Sequence, residues 1–305
     1  MQRKNLIVLF CLFIYVASAQ KITPKYGIVE LYEKFTSAYV QPRNVGVWLP
    51  QHYSPKKKYA VLYMHDGQML FDSTITFNKM EWGVDECLTQ LMREAKIKNT
   101  IVVGIWNTQE NRRQEYFPQK PFASLSKEEK DMVERSYEKS GMPKEFNPSS
   151  DNYLRFIVEE LKPFIDKTYA TLQNKENTFI AGSSMGGLIS MYAICEYPHI
   201  FGGAACISTH WPGIFEAENN PIPESFYAYL KEKLPVPTSI KIYFDHGTVD
   251  LDALYPPLQT KVDEIMVAKG FTKDNWITRK FEGENHSENA WKKRLYIPMG
   301  FLLRK

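Results

Sequence analysis

The order of predicted elements in this 305-residue chain indicates an α/β fold, in which a mostly parallel sheet carries helices on both faces. Two observations support this prediction. Short, continuously apolar runs alternate along the chain with segments of helical periodicity. One of these runs also ends in a glycine-rich turn that leads directly into a helix-like segment. The composition, 44% hydrophobic and 24% charged, is typical of a globular protein with a sizeable core.

The strands are predicted from apolar runs that are bounded by turn residues. Residues 37–40 and 45–49 flank the turn-like sequence Gln41-Pro42-Arg43-Asn44, which predicts an antiparallel hairpin at one edge of the sheet. The run at residues 59–64 is continuously apolar, as expected of a strand covered on both faces, and residues 100–106 predict a second buried strand. Further strands are predicted at residues 177–182, 202–207, 239–244 and 276–281.

The helices are predicted where apolar residues recur at three- and four-residue spacing or where a turn signal opens a helix-like run. They span residues 82–95, 153–169, 185–196, 256–269 and 288–303. Pro163 is expected to kink the second helix, because proline removes a backbone donor. Gly270 is expected to end the fourth helix, since glycine is common just after a helix.

Residues 118–148 interrupt the alternation of strands and helices, because they contain many charges and no predicted strand. Ser126 and Glu129 fit a capping box, which predicts a short helix ending near Tyr137. A long segment between two core elements is either a lid or substrate-binding insertion, or a solvated surface helix without a role. The sequence leaves both possibilities open.

The first 19 residues have the pattern of a cleavable signal peptide. Arg3 and Lys4 precede the apolar run at residues 6–16, and small residues at positions 17 and 19 fit cleavage before Gln20. An uncleaved anchor is the alternative, although this run is short for spanning a bilayer. We therefore expect an exported protein, periplasmic or extracellular, with residues 20–305 as a single domain and no stable membrane insertion.

Composition and spacing also exclude several classes of partner and cofactor. The net charge is only +3, which does not suggest a nucleic-acid partner. Cys87, Cys195 and Cys206 would remain in the mature chain, and we expect them to be free thiols in helix and strand interiors. The six histidines are scattered and no phosphate or dinucleotide fingerprint is present, so we expect neither metal nor cofactor. The oligomeric state is left open.

The clearest chemical signal is the G-x-S-x-G pattern that places Ser184 between a predicted strand and a predicted helix. This context is that of a nucleophile elbow. We expect Gly182 and Gly186 to be required because a Cβ at either position would crowd the turn. Ser184 is the predicted nucleophile, and the Met185 N–H at the helix start is placed to hold an oxyanion. The alternative is a glycine-rich turn without catalysis.

A serine nucleophile needs a base, and the base needs an orienting acid. Where this elbow carries catalysis, the acid and then the base follow the serine along the chain. His286 is the candidate base, because it alone follows the last predicted strand; a surface-loop histidine is the alternative. Three other histidines follow Ser184 but come too early: His199, His210 and His246.

The acid and the second oxyanion donor are expected in two further loops. Asp250 and Asp252 follow the strand at residues 239–244, and their spacing does not select one of them. The loop after the first buried strand contains Gly67, which would let the backbone N–H of Gln68 turn toward the site. A plain Asp-Gly turn is the alternative there.

From about residue 35 to residue 303, the chain resembles an esterase family of α/β-hydrolases. This family includes enterochelin esterases, esterase D, mycolyltransferases and carbohydrate esterases. The matching pieces are a strand that ends in Leu49-Pro50, the sequences His65-Asp66-Gly67-Gln68 and Arg113-Gln114-Glu115-Tyr116, the elbow, and the loop from Gly283 to Ser287. The resemblance implies an α/β-hydrolase fold.

The resemblance also implies roles for individual residues. Ser184 matches the family nucleophile, His286 matches the base, and the Gln68 and Met185 N–H groups match the oxyanion hole. Asp252 is favoured over Asp250 as the acid.

The function implied by the resemblance is that of a serine ester hydrolase working through an acyl-enzyme on carbohydrate-linked or similar small esters. Siderophore ester hydrolysis and acyl transfer to another alcohol are alternative activities. A non-catalytic binding protein on the same fold is the alternative of another class. Trp211 and His210, which follow a predicted strand end, are candidates for lining the substrate pocket, and a packed core aromatic is the other interpretation of Trp211.

Overall fold

A computed structural model describes residues 21–141, 146–215 and 218–305. The predicted signal peptide, residues 1–19, lies outside the described residues. The strands are β1 (Ile28–Phe35), β2 (Arg43–Leu49), β3 (Ala60–His65), β4 (Thr100–Ile105), β5 (Thr178–Ser183), β6 (Gly203–Ile207), β7 (Lys241–His246) and β8 (Trp276–Lys280). They form one sheet in the order β1-β2-β4-β3-β5-β6-β7-β8.

The sheet is mostly parallel, which confirms the predicted α/β class. Strands β3 to β8 pair in parallel throughout, whereas β2 is antiparallel to both of its neighbours, β1 and β4. Since the chain runs from β3 to one side of the sheet and later returns to the other side at β5, the carboxyl ends of these two strands flank a topological switch point. Ligands bind at such a point in open α/β sheets.

The predicted first strand of the hairpin, residues 37–40, is wrong. The strand that pairs with β2 is β1, which lies at the sheet edge and exposes several of its residues. Ser37 instead forms a local turn, in which its Oγ accepts hydrogen bonds from the backbone N–H groups of Tyr39 and Val40. Such local bonds compete with strand pairing.

The helices are α1 (Val84–Arg93), α2 (Arg112–Tyr116), α3 (Gln119–Ala123), α4 (Lys127–Lys139), α5 (Ser150–Arg155), α6 (Lys162–Thr168), α7 (Met185–Glu196), α8 (Ile222–Lys233), α9 (Tyr255–Ala268), α10 (Glu288–Arg294) and α11 (Tyr296–Leu302). A π-helical segment, Phe156–Leu161, joins α5 to α6 immediately before Pro163. A kink was expected at this proline, and the structure has a π-helical segment next to it, which changes the helical pitch. Helices α2, α3 and α8 were not predicted from the sequence.

Helices cover both faces of the sheet and bury two hydrophobic clusters. Helices α1, α10 and α11 pack on one face, around residues such as Leu88 and Met299. The helices from α2 to α9 pack on the other face, around residues such as Tyr153 and Leu188. No helix within the described ranges is long and apolar enough to cross a membrane. Cys87, Cys195 and Cys206 are free thiols, as expected.

The described part of residues 118–148 is anchored to the core. Helix α4 begins with the predicted capping box between Ser126 and Glu129. The rings of Tyr137 and Phe146 lie 4.2 Å apart between centroids, and the Tyr137 hydroxyl donates to the carbonyl of Gly213 at 2.8 Å. A role for this segment as a lid remains a prediction.

Candidate active site

Ser184 stands between β5 and α7 with φ 57° and ψ −121°, a strained conformation for a residue other than glycine. A Cβ on Gly182 would lie 2.8 Å from the backbone of Gly186, so position 182 requires glycine. A Cβ on Gly186 would make only ordinary contacts, the nearest at 3.5 Å from the Cβ of His65. The predicted crowding is therefore correct for Gly182 and wrong for Gly186. Strain of this kind is characteristic of functional turns.

His286 is paired with Asp252, since its Nδ1 lies 2.5 Å from the Asp252 Oδ1. A carboxylate only accepts hydrogen bonds, which places the imidazole hydrogen on Nδ1 and leaves Nε2 free to take a proton. Two aromatic rings meet the His286 ring edge to face, Tyr255 at 5.8 Å and Trp291 at 5.0 Å between centroids. These contacts fix the plane of the imidazole.

Asp252 is fully buried, whereas Asp250 is exposed on the same short 3-10 turn with φ 54°. The second carboxylate oxygen of Asp252 accepts hydrogen bonds from the Gly247 N–H at 2.6 Å and the Ser208 hydroxyl at 2.7 Å. Burial alone would raise the pKa of Asp252, but the bonds from His286 and Ser208 outweigh it and lower the pKa. The geometry therefore brings Asp252, and not Asp250, to His286.

Two backbone N–H groups expected at the oxyanion site begin helical turns. Met185 is the first residue of α7, and Gln68 is the second residue of a 3-10 turn, Gly67–Met69, that follows β3. The first N–H groups of a helix have no partner within it, so they can donate to an anion. Gly67 packs directly on β4, where a Cβ would lie 2.4 Å from the carbonyl carbon of Gly104.

Two other histidines near the elbow are unsuited to act as the base. His65 and His210 are almost fully buried, and burial lowers the pKa of each to about 3. Their Nδ1 atoms lie 2.8 Å from the Tyr153 hydroxyl and 2.9 Å from the Tyr255 hydroxyl, respectively. Both rings are therefore neutral structural groups near neutral pH.

Ser184 and His286 line one cleft with a volume of about 640 Å³. The lining of this cleft includes three aromatic side chains, Phe77, Trp82 and Trp291. Phe77 is 83% exposed, which is unusual for a phenylalanine and leaves its ring available to a ligand. A lining that combines aromatic side chains with a few polar groups is typical of a small-molecule site.

The cleft is also lined by polar residues, among them Asp66, Asn107 and Arg112, of which Asp66 alone lies in a predicted loop motif. Asp66, in the left-handed region with φ 55°, receives a bidentate ion pair from Arg112 at 2.7 and 2.8 Å and a hydrogen bond from Asn107. Burial would raise the pKa of Asp66, but the guanidinium lowers it overall. The sequence motif contains Arg113 and Glu115, yet Arg112 supplies the ion pair. Which of the two neighbouring arginines reaches Asp66 depends on the direction in which each side chain leaves the short helix α2.

The motif at residues 113–116 is mainly structural. Glu115 forms a buried, bidentate ion pair with Arg43 at 2.6 and 2.8 Å, which ties α2 to β2. The Tyr116 hydroxyl accepts a hydrogen bond from the Asp66 N–H. These bonds hold the loop after β3 in place, and that loop carries the Gln68 N–H.

Trp211 and His210 do not line this cleft, which corrects the expectation of a direct substrate contact. Trp211 is fully buried in the core, where its indole N–H donates to the Gln259 side chain at 2.8 Å. His210 is 3% exposed and bonded to Tyr255. For Trp211, the core-aromatic interpretation is the correct one.

Known proteins similar in sequence are esterases or uncharacterised. A family model described as "Putative esterase" matches residues 36–298. An uncharacterised protein, YbbA of Bacillus subtilis strain 168, is 29% identical over 171 residues, which are 55% of this chain and 58% of that protein. An endo-1,4-β-xylanase/feruloyl esterase of Xylanibacter ruminicola is 23% identical over 262 residues, which are 83% of this chain and 28% of that protein. The chain thus spans less than two thirds of either relative.

Known structures confirm the α/β-hydrolase fold. A CE1 ferulic acid esterase from the anaerobic fungus Anaeromyces mucronatus superposes with a TM-score of 0.60 and 21% identity. The alignment covers 92% of this chain and 90% of that one. At this identity the likeness establishes the shared fold.

Proposed function

Because the chain belongs to the Putative esterase family of α/β-hydrolases, we propose that it is a serine ester hydrolase. The observation that carries the proposal is the pairing of His286 with buried Asp252 in the same cleft as Ser184 on its strained turn. A nucleophile, a base and an orienting acid are the groups that acyl transfer requires.

The reaction begins when Ser184 Oγ attacks the ester carbonyl and His286 Nε2 takes the hydroxyl proton. Asp252 holds the imidazole in the tautomer that can accept this proton and stabilises the imidazolium. The Gln68 and Met185 N–H groups receive the negative charge of the tetrahedral intermediate. The intermediate breaks its bond to the alcohol oxygen, which leaves with the proton from His286. Water, deprotonated by His286, then releases the acid from the acyl-enzyme.

The proposed substrates are small or carbohydrate-linked esters with an aromatic acyl group. The aromatic lining of the cleft and the exposed Phe77 ring suit a planar acyl group, and the polar lining residues suit a hydroxylated alcohol. The names of the xylanase/feruloyl esterase and the ferulic acid esterase point to the same class. Export by the signal peptide of residues 1–19 would place the enzyme where such substrates occur.

The proposal is tested by hydrolysis of methyl ferulate, methyl acetate and methyl butyrate, which share one leaving group, by the purified protein. We expect turnover of all three, with the highest kcat/KM for methyl ferulate. Preference for the butyryl ester would contradict the aromatic acyl group while leaving the esterase in place. Failure to turn over any of the esters would contradict the proposed activity.

Replacing Phe77 with alanine is expected to raise the KM for methyl ferulate by roughly 3- to 10-fold, because one aromatic contact contributes about 0.5–1.5 kcal/mol. The kcat should stay unchanged, since the phenylalanine side chain carries no group that takes part in the proposed reaction. Steady-state kinetics with methyl ferulate and methyl acetate check this, because the acetate has no ring and shares the methanol leaving group. Val267→Ala, at an exposed position on α9, is the matched control. An equal loss with both esters would contradict an aryl contact.

A further inference from the structure

Ser208, which follows β6, takes part in four hydrogen bonds, one of them to the candidate acid Asp252. Its hydroxyl lies 2.7 Å from Asp252 Oδ2, 2.8 Å from Arg294 Nη2 and 3.1 Å from the Trp291 indole nitrogen. Its backbone N–H donates to Asp245 at 3.1 Å. The residue is fully buried, so water does not compete for these bonds.

The chemistry of the partners fixes the direction of each bond to the Ser208 hydroxyl. Arginine and the tryptophan indole can only donate, so the oxygen of Ser208 accepts from both. A serine hydroxyl has two acceptor positions and one hydrogen, which leaves the hydrogen for Asp252. The Ser208 hydroxyl therefore uses both of its acceptor positions and its one hydrogen. The carboxylate of Asp252 is consequently held through Oδ2 while Oδ1 faces His286.

Arg294 is itself anchored and almost fully buried. Its Nε and Nη2 atoms contact the two carboxylate oxygens of Asp245 at 3.2 and 3.0 Å. Asp245 is fully buried and also accepts a hydrogen bond from the Tyr243 hydroxyl at 3.0 Å. Because Arg294 lies on α10 and Asp245 on β7, the ion pair ties the helix that follows the loop of His286 to the strand that precedes the turn of Asp252.

Ser208 also has a strained backbone, with φ 39°. Residues other than glycine, asparagine and aspartate rarely adopt this region, and such strain persists only where the surroundings enforce it. Here the enforcing contacts are the bonds to Asp245 and Asp252. In this backbone conformation, the Ser208 hydroxyl points toward the Asp252 carboxylate.

We propose that Ser208 is a positioning residue, held in place by Arg294, that orients the Asp252 carboxylate toward His286. The inference rests on the proposed serine esterase activity and deepens it. Ser208 donates its one hydrogen to Asp252, so this carboxylate is the main route by which it affects the reaction. The bond from Trp291, whose ring packs on His286, is a second and weaker route. A residue that merely filled space in the core would lower stability but would not act through one particular carboxylate.

A double-mutant cycle between Ser208→Ala and Asp252→Ala tests this. Ser208→Ala alone should lower kcat for p-nitrophenyl acetate by roughly 10- to 100-fold, the scale of one hydrogen bond to a charged group, with KM unchanged. In the Asp252→Ala background the same substitution should change kcat by less than about twofold, because its target is gone. Arg294→Lys keeps a cation and should lose less activity than Arg294→Met.

Urea unfolding of each variant shows whether the proteins remain folded. If Ser208→Ala proves unstable, the rate at which a fluorophosphonate labels Ser184 at low temperature gives the same comparison without turnover. An equal loss in both backgrounds, or no loss in the single variant, would overturn the positioning role. A wild-type protein that hydrolyses no ester would instead contradict the proposed function.

Discussion

Replacing Ser184 with alanine is expected to lower kcat for every ester by at least about 10,000-fold, because removing the nucleophile prevents the acyl-enzyme. The oxyanion donors and the cleft remain, so substrate should still bind with a similar affinity. Initial rates with p-nitrophenyl acetate at high enzyme concentration measure the residual activity. Ligand affinity can be followed in the same variant by tryptophan fluorescence, since Trp82 and Trp291 line the cleft.

The matched control is Ser225→Ala. Ser225 is a buried serine on α8, and its hydroxyl donates to the carbonyl of Ile222 within the same helix. This variant should keep full activity. Retention of activity by Ser184→Ala would contradict the proposed mechanism, and a loss in both variants would indicate a folding defect instead.

A second large loss of activity is expected when Asp252 is replaced. Its replacement by alanine should lower kcat by roughly 10,000-fold, because His286 loses the group that fixes its tautomer and stabilises its charge. Asp250→Ala is the matched control on the same turn. Asp250 is exposed and contributes no bond to His286, so its removal should change kcat by less than about twofold.

Steady-state kinetics of the two variants, measured beside the wild type, separate the candidate acids. A loss confined to Asp250→Ala would contradict the assignment of Asp252. Comparable losses in both variants would show that the turn as a whole, rather than one carboxylate, supports His286.

The fold could be predicted because its central strands can be recognised from short stretches of sequence. Strands β3 to β7 are almost entirely buried and are therefore rich in apolar residues. Strand β1 lies at the edge and mixes exposed with half-buried positions, so it lacks this apolar signal. Helix α8 was not predicted, and its first turn contains Pro223, a residue that is tolerated there but gives no positive signal for a helix interior.

The residues of the candidate site likewise fall into two groups, those that a local sequence signal predicts and those that depend on tertiary packing. Ser184 and His286 were found from a short motif and from chain order, both of which are local. Asp250 and Asp252 could not be separated, since their burial depends on how a 3-10 turn packs against the sheet. The bonds from Ser208 to Asp252 and from Arg294 to Ser208 join residues 44 and 86 positions apart, and no sequence spacing encodes such pairs.

The measurement that tests the account most directly is peptide mapping of protein quenched in acid during turnover of p-nitrophenyl acetate or methyl ferulate. The mechanism requires one acyl group, an acetyl or a feruloyl, on the peptide that contains Ser184, and none in Ser184→Ala. An acyl group on a different residue, or continued turnover by Ser184→Ala, would contradict nucleophilic catalysis by Ser184.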